Sequence, residues 1–185
     1  VLYSSRFKAP RQAILEKLTD EIGETCGLAI PNGTEMIYYD RVQSAWPLQF
    51  QLNIGSHTPS WCTASGKLYL SNMSKNQRLR LINKLPLRQY TRNTITDPIT
   101  LEEELKKIRR TCVGLDNEEF IDGMVACAVP IYDKADRLFA CLFTHAPVIR
   151  KSLEELLDYV PTLIHAASDL GNLIDDANSY GKRDT

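Results

Sequence analysis

The nine residues from Ser60 to Leu68, SWCTASGKL, bring together a thiol, hydroxyl groups, a glycine and a lysine. Cys62 could be a nucleophile, with His57 or His145 as the base that removes its proton. The same three side chains could bind zinc, for which thiolate and imidazole are ligands, but no paired ligand spacing supports this. Because buried, unreactive cysteine is the more common outcome, we predict no catalytic residue, no metal and no cofactor.

Two other chemistries fail on spacing. A phosphate-binding loop needs a glycine five residues before its Gly-Lys pair and a Ser or Thr after it, but Trp61 and Leu68 stand at these positions. Ser65 lacks the flanking glycines of a nucleophile elbow. The sequence therefore gives little support to nucleotide or ester hydrolysis.

The same stretch also fits an anion pocket. A strand that ends at Gly55 would be followed by a loop and by a helix beginning near Thr63, whose first backbone N–H groups have no acceptor within the helix. Thr63 and Ser65 could add hydroxyl donors, and Ala64 and Gly66 leave room for a small ligand. The alternative is a well-capped helix whose small residues pack closely on a sheet, and the local sequence fits both.

Residues on either side predict the elements around this stretch. Apolar residues at helical spacing predict a helix over about 9–22, and Asn32-Gly33 predicts a hairpin. The alternation from Leu48 to Ile54 predicts a third strand. Residues 64–73 and 75–85 are typical of helices, and a polar connection follows.

The second half of the chain has two capping boxes and a hairpin. Thr100 with Glu103 and Ser152 with Glu155 each predict a helix start. Between them, MVACAVPIY and RLFACLFT flank DKAD and predict two strands covered on both faces. This order of helices and hairpins predicts an α+β fold with an antiparallel sheet.

Composition restricts the class of protein. With 185 residues, 43% of them hydrophobic, the chain is long enough for one good core and too short for two ordinary domains. Lys+Arg 22 against Asp+Glu 23 leaves no basic excess for nucleic acid or an anionic membrane. Five cysteines without a C-x-x-C pair, and no signal peptide, favour a reduced, cytoplasmic setting without a membrane span.

Two further places could contribute to a pocket. Asp116 begins the acidic run DNEE, which is more often a solvated loop than a site. Phe143 and His145 share one face of their strand by alternation, so both could point into a cavity, although core packing is the more common role.

Taken in order, several segments resemble the effector-binding domain of the IclR family of bacterial transcriptional regulators. The match runs from about Ile14 to Leu173 and includes ILEKLTDEIGET, EMIYYDRV, GSHTPSWCTASGKLYL, LPLRQYTRNTIT, LEEELKKIRRTCVGLDNEEFIDG, ACAVPIYD and APVIR. Each motif alone is weak, but so many in this order and spacing are specific.

The resemblance implies a GAF-like fold, with a curved antiparallel sheet flanked by helices. It also implies that residues 1–13 are a linker from an absent N-terminal winged helix-turn-helix domain, residues 14–175 the effector-binding domain, and residues 176–185 a tail. Operator DNA would be bound only through the absent domain, and the chain would assemble with itself as a dimer or tetramer.

The family's pocket implies a set of effector-binding residues here. The set comprises Gly55, His57, Trp61, Cys62, Thr63, Ala64, Ser65, Gly66, Asp116, Ala126, Phe143 and His145. The chain departs from the family where Ala126 replaces a frequent cysteine, with Cys127 expected on the opposite face.

Further departures change the expected ligand. Phe143 and His145 replace two serines, and Trp61-Cys62 replaces a leucine-histidine pair. These changes should alter pocket volume and polarity, so an aromatic or bulkier small molecule is expected, with an organic acid held by the helix-start amides as one form. The predicted function is effector sensing and oligomerisation in a transcriptional regulator. The alternatives are an assembly domain with a vestigial pocket and a Cys/His enzyme.

Overall fold

An antiparallel sheet with helices on both faces organises the computed structural model, which describes residues 7–180 and the side chains as far as Ile174. In chain order the elements are α1 Lys8–Ile22, β1 Thr25–Asn32, β2 Glu35–Val42, β3 His57–Pro59, α2 Ala64–Asn72, α3 Lys75–Ile82, α4 Pro98–Thr111, β4 Gly114–Asn117, β5 Met124–Tyr132, β6 Leu138–Pro147, α5 Leu153–Leu157 and α6 Val160–Tyr180. The predicted α+β class, with a curved antiparallel sheet flanked by helices, is confirmed.

The strands lie in the order β3-β2-β1-β6-β5-β4, and each neighbouring pair is antiparallel. One face carries α1, α5 and α6 over a core that includes Leu15, Leu142 and Leu163. The other face carries α2, with α3 and α4 behind it, over a core that includes Leu68 and Leu105. The sheet is therefore buried on both sides, as the apolar β5 and β6 predict.

The two predicted hairpins are confirmed, with one shift in turn position. Asn32 pairs with Glu35, so the first turn consists of Gly33 and Thr34. Gly33 adopts a φ of 64°, a conformation that glycine reaches without steric cost. The strands β5 and β6 form the second hairpin, around DKAD.

The predicted third strand is wrong. The segment from Leu48 to Ile54 has no strand structure, and both of these side chains are more than half exposed. The edge of β2 pairs instead with β3, and at Tyr38 it bonds the turn at Gly55 and Ser56. Alternation alone does not make a strand when the available edge is taken by other backbone groups.

Two helix predictions needed correction. Asp97 caps α4 by accepting a hydrogen bond from the Thr100 N–H, and Pro98 occupies the first turn, so the Thr100 capping box is wrong. The capping box of Ser152 and Glu155 is confirmed, but it begins the short α5 rather than one continuous final helix.

The ends of the chain are described only in part. Helix α1 begins at Lys8, within the predicted linker, while residues 1–6 of that linker and 181–185 of the predicted tail lie outside the described residues. Within residues 7–180, none of the helices is both long and apolar enough to cross a membrane.

Candidate functional site

A narrow cavity of about 40 Å³ lies between the start of α2 and the sheet. Its lining residues come from all six strands, the start of α2 and two connecting segments, and are Ala29, Tyr38, Leu52, Thr58, Thr63, Ala64, Ser65, Asp116, Phe120, Met124, Ala126, Phe143 and His145. Most of the wall is apolar, with polar groups near the helix start and on the strands.

The start of α2 supplies backbone N–H groups at one end of the cavity. Thr63 is the N-cap residue, and its hydroxyl oxygen accepts a hydrogen bond from the Gly66 N–H at 3.2 Å. The N–H groups of Ala64 and Ser65 come first in the helix and have no intrahelical acceptor, so they can bind an anion. Both residues line the cavity.

Gly66 has a packing role. A Cβ atom at this position would lie 2.4 Å from the Ser60 backbone, so only glycine lets the helix turn this closely over the preceding loop. Each interpretation of SWCTASGKL therefore applies to different residues. Gly66 packs closely against the preceding loop, whereas Thr63, Ala64 and Ser65 line the cavity.

Asp116 lies beside this helix start, at the end of β4. Its Oδ1 accepts a hydrogen bond from the Glu119 N–H at 2.8 Å, and its buried Oδ2 has no hydrogen-bond partner among the described residues. Burial, followed by the negative charge of Glu119, raises the pKa of Asp116 to about 8. The carboxyl group is therefore largely neutral at pH 7 and can donate a hydrogen bond.

A network of hydrogen bonds fixes the turn after Asp116. The Thr94 hydroxyl donates to the Glu119 carbonyl oxygen at 2.6 Å, and the Thr91 hydroxyl donates to the Glu118 carbonyl oxygen at 2.6 Å. The buried Lys67 ammonium lies 2.8 and 2.9 Å from the two carboxylate oxygens of Glu119. This turn is thereby tied to α2 and to the loop before α4.

An aromatic wall faces the helix start across the cavity. The rings of Phe143 and His145 are stacked, with centroids 5.7 Å apart, and the Tyr38 hydroxyl lies 3.1 Å from His145 Nε2. Burial, followed by the positive charge of Arg41, lowers the pKa of His145 to about 4. The imidazole is therefore neutral at pH 7.

A β-bulge in β2 turns Tyr38 toward the cavity. Ala29 pairs with Tyr38 and Leu28 pairs with Asp40, so Tyr39 is the extra residue between them. Tyr38 and Asp40 consequently face opposite sides of the sheet. Asp40 accepts hydrogen bonds from Arg11 and Gln12 of α1.

The cavity gathers seven of the twelve residues predicted from the sequence, namely Thr63, Ala64, Ser65, Asp116, Ala126, Phe143 and His145. Cys127 faces the opposite core, as predicted from the register. Trp61 and Cys62 are buried outside the lining, and the Trp61 indole donates to the Arg88 carbonyl oxygen. His57 is exposed, with Nδ1 2.9 Å from a carboxylate oxygen of Glu35.

Gly55 also lies outside the lining. It is exposed, and its φ of 89° serves the turn that bonds the edge of β2. Like His57, it precedes the cavity in the chain without contributing to its wall.

The sequence did not indicate six of the lining residues, which are Ala29, Tyr38, Leu52, Thr58, Phe120 and Met124. Met124 shares a strand face with Ala126 and could have been found by alternation. Tyr38 could not, because the bulge changes the strand face at this position.

The structure gives no support to the alternative in which a cysteine thiol acts as a nucleophile. Cys26, Cys62, Cys127 and Cys141 are buried, and burial raises the pKa of each thiol. A thiol nucleophile needs the opposite shift. Among the described side chains, no group of three or more His, Cys, Asp or Glu residues is placed to hold a metal.

Comparison with known proteins places this geometry in a family. Residues 2–172 match the model for the C-terminal region of the bacterial transcriptional regulator IclR. The probable transcriptional regulator SauR of Cupriavidus necator is 41% identical over 170 residues, which cover 92% of this chain and 68% of that protein. The transcriptional repressor IclR of Escherichia coli is 28% identical, and the match covers 91% of this chain and 62% of the repressor.

Solved structures of other transcriptional regulators have the same fold. The PobR inducer-binding domain from Acinetobacter, a double mutant in complex with 3-hydroxybenzoic acid, aligns with a TM-score of 0.81 at 27% identity, covering 89% of this chain and 97% of that one. The C-terminal domain of E. coli KdgR aligns with a TM-score of 0.78 at 26% identity, covering 89% and 96%. The chain therefore belongs to the IclR family of bacterial transcriptional regulators and corresponds to their C-terminal domain.

Proposed function

We propose that this chain is the effector-sensing domain of a transcriptional regulator, and that its effector is a short organic acid bound between α2 and the sheet. The observation that supports this most directly is Oδ2 of Asp116, a buried polar atom of a cavity-lining residue without a hydrogen-bond partner among the described residues. Leaving such an atom unpaired costs free energy, which a bound ligand would recover.

The polar groups around this atom favour an acid. The neutral Asp116 carboxyl group can donate its O–H, and the N–H groups of Ala64 and Ser65 can donate beside it. A carboxylate presents two acceptor oxygens to such a set of donors. An ammonium or guanidinium ligand would meet little negative charge from Asp116 at pH 7, because the carboxyl group is largely neutral.

The free volume favours a short aliphatic acid over the aromatic ligand expected from the sequence. That expectation depended on Phe143 and His145, whose rings form part of the wall and occupy space themselves. It also depended on Trp61 and Cys62, which are buried outside the lining. The PobR domain holds 3-hydroxybenzoic acid. An aromatic acid is therefore the appropriate comparison in a binding experiment.

The remainder of the proposal concerns the whole regulator. The chain spans 62% of the length of the E. coli repressor, so we place operator binding in a domain outside this chain. Effector binding would shift the arrangement of subunits in a cytoplasmic dimer or tetramer, and thereby that of the DNA-binding domains.

The first test is a thermal-shift screen at pH 7 with glyoxylate, pyruvate, benzoate and 3-hydroxybenzoate. A ligand at one hundred times its dissociation constant adds about 2.7 kcal/mol to the free energy of unfolding, or about 5 to 10 °C in a domain of this size. We expect such a shift with a short aliphatic acid, smaller shifts with the aromatic acids, and its loss in Asp116→Ala.

The exposed Asp122→Ala is the matched control and should keep the shift. Stronger stabilisation by the aromatic acids would overturn the proposed ligand class. A flat screen in the wild-type chain would favour an assembly domain with a vestigial pocket.

A further inference from the structure

We propose that Tyr38 and His145 form a second polar anchor in the cavity, which selects a short acid carrying oxygen acceptors at both ends. The first anchor is the Asp116 carboxyl group with the start of α2. This inference rests on the proposed function and specifies the ligand of the same site.

The strand register places the two anchors at opposite ends of one row. Asp116 pairs with Ala126, and Ala126 pairs with His145, so the three residues lie side by side on β4, β5 and β6. Adjacent strands are about 4.8 Å apart, which puts the Cα atoms of Asp116 and His145 roughly 9–10 Å apart. The small side chain of Ala126 leaves a gap between them, where a ligand can lie across the row.

The second anchor has a hydrogen-bond donor to offer. Tyr38 and the neutral His145 together carry one O–H and one N–H hydrogen, and their 3.1 Å contact uses only one of these. When Nε2–H donates to the tyrosine oxygen, the Tyr38 O–H is free to donate to a ligand. Stacking against Phe143 fixes the plane of the imidazole ring.

The electrostatic field at this anchor favours a negatively charged group. Burial, followed by the positive charge of Arg41, lowers the pKa of His145. The same positive charge attracts an anionic oxygen. Arg41 is itself held by donating to the Leu52 carbonyl oxygen, and Leu52 lines the cavity.

The remaining wall limits the length of the ligand. Phe120 and Met124 contribute apolar surface to the wall. With about 40 Å³ of free space, a ligand of two or three carbons with two polar ends can reach both anchors. A simple monocarboxylate of the same length would place a methyl group against Tyr38 and His145 and leave their donor unused.

The test compares malonate with propionate, which differ in having a carboxylate or a methyl group at the second end. Calorimetry at pH 7 would use the wild-type chain, Tyr38→Phe and the matched control Tyr39→Phe. Tyr39 lies on the opposite face of the sheet, packed against the other core. A hydrogen bond to a charged group corresponds to about a tenfold to hundredfold change in affinity.

We expect wild-type protein to bind malonate at least about tenfold more tightly than propionate, in line with the hydrogen-bond estimate. Tyr38→Phe should lose that preference while keeping its propionate affinity, and Tyr39→Phe should keep both. Equal wild-type affinities, or a malonate preference that survives in Tyr38→Phe, would overturn the second anchor and leave the proposed function standing. If neither these acids nor those of the thermal-shift screen bind, both proposals fail.

Discussion

Asp116 and His145 make opposite contributions to the pH dependence of folding. The folded protein raises the pKa of Asp116 from 3.8 to about 8, so its stabilising contribution is complete below pH 3.8 and is lost as the pH rises to about 8. The folded protein lowers the pKa of His145 from 6.5 to about 4, so its contribution is complete above pH 6.5 and is lost toward pH 4. From pH 4 to 6.5, the Asp116 contribution lowers the free energy of unfolding as the pH rises, whereas the His145 contribution increases it. Above pH 6.5 only the Asp116 contribution still changes with pH.

Asp116→Asn should therefore change how stability responds to pH. Because asparagine does not titrate, the free energy of unfolding of the variant should gain on that of the wild type as the pH rises from 5 to 8. The gain should not exceed about 1.4 kcal/mol per pH unit, the limit for one proton. Urea unfolding at pH 5, 6.5 and 8 would measure it, with the exposed Asp122→Asn as control. Parallel stability curves for wild type and Asp116→Asn would contradict a neutral Asp116.

Among the elements, Lys67 connects α2 to the turn that follows β4 and to α4. Its ammonium lies 2.8 Å from a carboxylate oxygen of Glu119 and 3.7 Å from one of Glu104. The Lys67 side chain is only 1% exposed. Since the same turn orients Asp116, this ion pair links the position of the helix start to that of the acidic residue.

Lys67→Met should destabilise the protein by about 3–5 kcal/mol, because it leaves the Glu119 carboxylate buried without its cation. The double variant Lys67→Met with Glu119→Gln should recover much of that loss, since the buried charge is gone and the amide oxygen can still accept from the Asn117 N–H. Lys107→Met, at a lysine 66% exposed and 3.6 Å from Glu104, is the matched control and should change stability by less than about 1 kcal/mol. Chemical denaturation measures all three, and strictly additive losses would argue against a coupled pair.

The elements that the sequence predicted correctly are those with local signals. The turn at Gly33, the cap of Ser152 and the period of α1 each depend on residues close in the chain. The strand predicted over 48–54 failed because pairing depends on which edge is free, a property of distant segments. The orientation of Tyr38 could not be predicted from the sequence either, since it depends on a bulge set by the register with β1.

In the site, too, residues with local sequence signals were predictable, whereas properties that depend on distant segments were not. The start of α2 was predictable from Thr63 and its small neighbours, and Phe143 and His145 from strand alternation. The burial of Asp116 was not, because the run DNEE suggests a solvated loop and only the fold brings α2 over it. Its altered pKa is a consequence of that packing.

At the scale of the whole molecule, the cavity lies on one face of the sheet, yet the sheet is shared by both cores. The strands β1, β5 and β6 each contribute lining residues on one face and core residues on the other. Separating these strands would therefore expose the cores on both faces at once. We expect the sheet to open as one cooperative unit.

This shared sheet predicts how ligand binding spreads through hydrogen exchange. With malonate at one hundred times its dissociation constant, amides that exchange only through global unfolding should slow by about one hundredfold. Such amides should include those of Leu28 and Leu142, whose side chains lie in the core opposite the cavity. Tyr38→Phe, measured at the same malonate concentration, should show much less slowing at the same amides. Slowing confined to the start of α2 and the turn after β4 would instead mean that the two cores unfold separately, because binding energy placed on one face can protect the other only through the strands they share.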